Sequence, residues 1–147
     1  MTASTRMEFV PVCPEQMAGL TYYYDSMNFY LLAKTCDDEG QPLMVLLKSD
    51  TGAIEDCVQP IPLTDRGVLE LRVQTSPDGA QAGFAFRQGE SDWQTVGEPL
   101  STEILTDEHC RGFTGAHVGL YAHDMAGLGA FADFDDLAVH FHAPDHS

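Results

Sequence analysis

The chain has 147 residues, 44% of them hydrophobic, which suits one domain with a sizeable core and excludes a chain disordered by composition. Seven Lys and Arg stand against 23 Asp and Glu, a net charge of −16. Nucleic acid and membrane surfaces are therefore not expected partners, because both attract basic proteins, whereas a neutral polymer such as a polysaccharide is compatible. No apolar run approaches the ~18 residues that would span a bilayer. The polar start, Met1 to Thr5, leads to the expectation of no signal peptide. Cys13, Cys36, Cys57 and Cys110 form no C-x-x-C pair, which argues against a zinc site or a redox dithiol; no cofactor is expected. Reduced thiols in a cytoplasmic protein are the expectation.

Strand follows strand along the chain. Arg6 to Val10 alternates and is ended by Pro11 and Pro14. Gly19 to Asp25 and Asn28 to Lys34 flank a short gap whose turn residues predict a hairpin. Leu43 to Lys48 is a compact apolar run between the turn clusters Asp37 to Gly40 and Ser49 to Gly52. Val68 to Val73 alternates cleanly, with Val68 or Leu69 competing for the inner face beside Leu71 and Val73. The turn Ser76 to Gly79 follows, then a strand at Ala82 to Arg87, a turn at Gln88 to Ser91 and a short strand at Trp93 to Val96. Thr102 to Glu108 reads as a turn-rich loop. Ala116 to His123 and Gly129 to His142 complete the set. About ten short strands and no long amphipathic helix predict an all-β sandwich, residues 5–142, with frayed ends at 1–4 and 143–147.

Arg111 to Leu120, RGFTGAHVGL, reads as a loop that presents Phe113 and then drops into a strand. A large apolar side chain on a loop tip needs a partner, be it a ligand, another domain or another subunit. Among Tyr22, Tyr23 and Tyr24 at most two share a face, because strand side chains alternate. Tyr23 with Trp93 is the candidate sugar platform, flat apolar area with a polar rim. Asp133, Asp135 and Asp136 read as a solvated strand face rather than a calcium site, since Asp136 faces away from the other two and Phe131, Phe134 and Leu137 slip out of alternation. His140 and His142 at a frayed end lack a third firm ligand, and His109-Cys110 lacks an orienting acid. No metal site is expected.

The order of motifs, AGLTYYYDSMNFYLL at 18–32, GVLELRVQ at 67–74, SDWQTVGEPL at 91–100, TDEHCRGFTGAHVGLYAHD at 106–124 and ADFDDLAVHF at 132–141, resembles the C-terminal concanavalin A-like (jelly-roll) antiparallel β-sandwich of β-xylosidases in glycoside hydrolase family 43. The resemblance covers roughly Thr5 to Phe141. It implies that catalysis belongs to a separate five-bladed β-propeller, where acidic residues act as in an inverting glycosidase. It also implies that a loop of the sandwich walls the substrate pocket, with Phe113 in the key position and Arg111 and Thr114 beside it. Two departures stand out: His117 replaces an aromatic or aliphatic residue, and Met1 to Ser4 stand where the family carries a further strand.

The chain is thus expected to be the accessory domain of a xylosidase- or arabinofuranosidase-like enzyme, with no catalytic residue of its own. Its partners would be the propeller and, through it, a xylo- or arabino-oligosaccharide. The alternatives are a free-standing lectin-like module or a structural, oligomerising domain. An edge bared by a missing strand would favour a homo-oligomer.

Overall fold

The computed structural model describes residues 1–11, 14, 16–25, 27–64, 68–89, 91–106, 117–124 and 132–140, with the backbone course alone at 117, 122–124 and 132–140. Eleven strands run through these residues: β1 (Thr2–Phe9), β2 (Gln16–Asp25), β3 (Asn28–Cys36), β4 (Pro42–Asp50), β5 (Ala53–Asp56), β6 (Ile61–Pro62), β7 (Leu69–Thr75), β8 (Gln81–Gln88), β9 (Gln94–Ser101), β10 (His117–Asp124) and β11 (Ala132–His140). They form two antiparallel sheets. One has the order β11-β1-β7-β8-β9; the other has the order β10-β2-β3-β4-β5, with β6 also on β4. The all-β concanavalin A-like sandwich is the observed fold.

From β1, which lies between β11 and β7 in the first sheet, the chain crosses for β2 to β6 and returns for β7 to β9. It then lays β10 beside β2 and β11 beside β1. The core lies between the sheets and takes alternate residues from each. Leu69, Leu71 and Val73 face inward, so Leu69 rather than Val68 wins the inner position; Phe84, Phe86, Met7, Leu20, Leu32 and Leu46 join them. Tyr30 ties one sheet to the other: its ring packs on Phe84 at 6.0 Å, and its hydroxyl donates to the Ser101 carbonyl at 2.7 Å.

Turn chemistry explains the meander. Asp25 Oδ1 accepts from the Met27 N–H at 2.9 Å and from Asn28 Nδ2 at 3.1 Å, which closes the β2–β3 hairpin. Thr51 and Gly52, both at positive φ, turn β4 into β5 as a two-residue primed hairpin. The two turns are locked together, because the Met27 carbonyl accepts from Gly52 N–H and Ser49 Oγ while Thr51 N–H donates to Asn28 Oδ1. In the loop expected at Thr102 to Glu108, the described residues contain a 3₁₀ turn at Glu103–Leu105, which buries Ile104 and Leu105.

Several expectations are corrected. Residues 2–4 are not frayed: they pair with both β7 and β11, and the Met1 ammonium donates to Thr75 Oγ1 at 2.9 Å. No bare edge lies beside β1, because β7 and β11 occupy both of its sides. Strand β9 begins at Gln94, leaving Trp93 just outside it. The slippage around Phe134 is a β-bulge: Thr5 pairs with Leu137 and Met7 with Phe134, so Asp135 and Asp136 together oppose Arg6. The expected frayed end at 143–147 lies outside the described residues.

Candidate functional site

The outer face of the six-stranded sheet is unusually apolar. Pairing register sets Tyr23, Phe29, Ser49 and Ile54 in one row across β2 to β5, and Gly119, Thr21, Leu31 and Leu47 in the next, across β10 to β4. A third row holds Tyr121, Gly19, Ala33 and Val45. Leu31, Ala33 and Val45 are buried on this face under Met17, Phe29, Leu47 and Tyr121, forming a second small core apart from the main one.

A groove of about 510 Å³ opens on this face, with Leu31 and Thr21 at its base and Tyr23, Phe29, Tyr121 and Ile54 around them. That volume falls in the range of small-molecule sites, ~300–1,000 Å³. Leu31 is only 2% exposed, whereas Ile54 is 63% exposed, so the groove has a packed floor and an open apolar rim. Gly119 shapes it directly: a Cβ there would stand 3.1 Å from Tyr23 Cε1, so its absence lets the tyrosine ring lie against β10. Among the described residues, Asp25 is the single carboxylate of the lining. The Met27 N–H, with the Asn28 side chain, holds its pKa below the usual range, and both of these bonds fall on Oδ1. Burial pushes the Tyr121 phenol up, so it stays neutral and able to donate through the physiological range.

Tyr22 and Tyr24 turn inward while Tyr23 faces out, as strand alternation requires. Trp93 does not join Tyr23. It lies by the other sheet, where Arg72 and Arg87 stand over its ring at 4.4 and 5.0 Å, a cation–π arrangement. Arg87 is itself held bidentate by Glu70 at 2.9 and 3.0 Å. The platform expected from these two aromatics is therefore split between the sheets. Its actual neighbours around Tyr23 are Phe29 and Tyr121. A signal for them was present in Phe29-Tyr30-Leu31-Leu32-Ala33, a run apolar at both parities, which marks a strand buried on both faces. Phe113, Thr114 and Arg111 lie outside the described residues, as do His109, Cys110 and His142; Asp133, Asp135, Asp136 and His140 are known only by backbone course.

Residues 1–140 match the family described as the β-xylosidase C-terminal concanavalin A-like domain. A putative β-xylosidase of Escherichia coli K12 is 37% identical over 139 residues, which is 90% of this chain and 26% of that protein. A xylan 1,3-β-xylosidase of a Vibrio species is 27% identical over 91% of this chain and 25% of its own length. Among solved structures, xylan β-1,4-xylosidase from Bacillus halodurans C-125 superposes with a TM-score of 0.85 at 27% identity, covering 92% of this chain and 26% of that one. The chain thus spans about a quarter of the length of the relatives it matches. It belongs to the family of C-terminal concanavalin A-like domains of glycoside hydrolase family 43 β-xylosidases.

Proposed function

We propose that this chain serves as the accessory domain of a xylosidase- or arabinofuranosidase-type glycoside hydrolase. Its segment 111–116 presents Phe113 as a wall of the substrate pocket on a separate β-propeller domain, flanked by Arg111 and Thr114. The observation that carries this reading is the match over 1–140 to a domain that makes up only a quarter of its relatives. One further fact supports it. Glycoside hydrolysis ordinarily needs a pair of carboxyl groups, and among the described residues the groove lining contains one, Asp25.

The test is kinetic. In the whole enzyme, Phe113→Ala lowers kcat/KM for nitrophenyl xyloside or arabinoside about tenfold, equivalent to ~1.4 kcal/mol of transition-state binding, with an unchanged denaturation midpoint. The chain expressed alone gives no turnover. Unchanged kcat/KM in the variant, or turnover that tracks with the purified chain, overturns the reading.

A further inference from the structure

We propose that a trough on the outer face of the five-stranded sheet binds a small hydroxylated carboxylate, an acid of about monosaccharide size, with Arg72 as its anchor. Pairing register builds the trough. Arg72, Ala85 and Thr95 form one row across β7, β8 and β9, and Gln74 faces Gly83 in the next row on the same side. The small residues fall on the middle strand. Strand β8 is therefore the floor, Arg72 and Gln74 form one wall, and Thr95 and Pro99 form the other. The space measures about 330 Å³, towards the lower end of small-molecule sites. A Cβ at Gly83 would meet only the Gln74 carbonyl oxygen, at 3.9 Å, so the floor is open above that residue.

Among the described residues, Arg72 is the one charged group of this lining, and no carboxylate joins it. Its guanidinium carbon stands 4.4 Å from the centre of the Trp93 ring, which covers one face of the cation. The N–H donors of a guanidinium lie in its plane. They stay available at its edge, where a carboxylate accepts two parallel hydrogen bonds. Arg87 also stands over Trp93, but Glu70 already engages it at 2.9 and 3.0 Å. Arg72 is half-buried and makes no hydrogen bond or ion pair from its side chain to any described residue. The side chains of Gln74, Gln81 and Thr95 are likewise free among the described residues, and they suit hydroxyls beside the carboxylate. A purely apolar ligand would strip water from these donors without replacing it. The charge of −16 does not forbid an anion here. Screening acts over ~8 Å at physiological ionic strength, so distant acids weigh less than a cation in contact. The site is independent of the accessory role proposed above and lies on the sheet opposite the Tyr23 groove.

Trp93 is the single tryptophan of the chain, so its emission reports on ligands at Arg72 without a label. Titration of the full chain with D-glucuronate or D-gluconate is expected to give a saturable change in emission with a Kd of about 1 mM. Amide NMR shifts centre on Gly83, Ala85 and Thr95. The ring acid and the open-chain acid distinguish the shape the trough prefers, and saturation by either supports the site. Neutral D-xylose gives no change. Arg72→Gln keeps a polar side chain without the charge and weakens binding at least about tenfold, as loss of a charge-assisted hydrogen bond does. Gly83→Val fills the trough with a side chain that suits a strand; it abolishes binding without lowering the denaturation midpoint. Phe113→Ala leaves the affinity unchanged, so this site and the accessory role fail separately. No saturable change with either acid, equal affinity for acetate or inorganic phosphate, full affinity in Arg72→Gln or Gly83→Val, or shifts centred on Tyr23 overturns the proposal.

Discussion

Gly19 offers the sharpest test of how the six-stranded sheet is built. It sits in β2 between Ala33 of β3 and Tyr121 of β10, so strands press on both sides. A Cβ at Gly19 would stand 2.6 Å from Ala33 Cα and 2.8 Å from the Leu32 carbonyl carbon, and would overlap the Leu32 carbonyl oxygen. These are backbone atoms, so no rotamer change relieves them. In an interior packed to crystal-like density, β3 would have to retreat by about an ångström or more. Overpacking alone costs about 1–3 kcal/mol. Stretching two or three ladder hydrogen bonds at ~1 kcal/mol each brings the total to roughly 3–6 kcal/mol. That is a large share of the ~5–15 kcal/mol that holds a domain together. With a urea m-value near 2 kcal/mol/M, Gly19→Ala lowers the midpoint by about 2 M or leaves the chain unfolded. Gly83→Ala is the control. Gly83 also lies in a strand, but its Cβ would meet only the Gln74 carbonyl oxygen, at 3.9 Å, an ordinary contact. Lower entropy of the unfolded chain then makes the change neutral or stabilising by up to ~1 kcal/mol. Denaturation followed by circular dichroism reads both. A Gly19→Ala midpoint within a few tenths of a molar of the parent, or equal losses in the two variants, refutes the reasoning.

Two predictions concern Tyr30. Tyr30→Phe removes the donor to the Ser101 carbonyl and costs about 0.5–1.5 kcal/mol in thermal denaturation, since ring packing on Phe84 is kept. Burial, with smaller contributions from Cys57, Asp50 and Glu55, pushes the Tyr30 phenol up to about 12 from an ordinary 10.0. The folded state therefore holds a proton that the unfolded state releases. This contribution is fully present below pH 10 and is lost as pH rises towards 12. Burial raises Tyr22 and Tyr121 in the same direction. Stability measured against pH should fall on the alkaline side, and Tyr30→Phe should flatten that limb; an unchanged slope in the variant contradicts the assignment.

Much of the fold was legible locally. The alternation Leu69-x-Leu71-x-Val73 reports a half-buried strand, because successive side chains point to opposite faces. Ser76 to Gly79 declares a turn through chemistry that four residues carry by themselves: Asp78 Oδ1 accepts from Ser76 Oγ and the Ala80 N–H, and Gly79 takes a positive φ. The motif RGFTGAHVGL pointed to the family with no structure at all. What the residues could not reveal is which faces meet. Thr2 to Ser4 look like a polar end, yet they are bracketed by strands that begin 67 and 130 positions after Thr2. Lys34, in register with the inward Tyr30 and Leu32, is 1% exposed, although its side chain by itself reads as a solvent group. The four-residue β5 and two-residue β6 are too short for periodicity to register and exist because β4 offers them an edge. Tyr23 and Trp93 look equivalent as aromatics in turn-bounded strands, but the sheets carry them apart. Dihedral preference, alternation and turn chemistry act within a few residues, so sequence displays them. Sheet order, the second apolar face and the groove come from pairings across the chain, which are decided only when every face competes for burial at once.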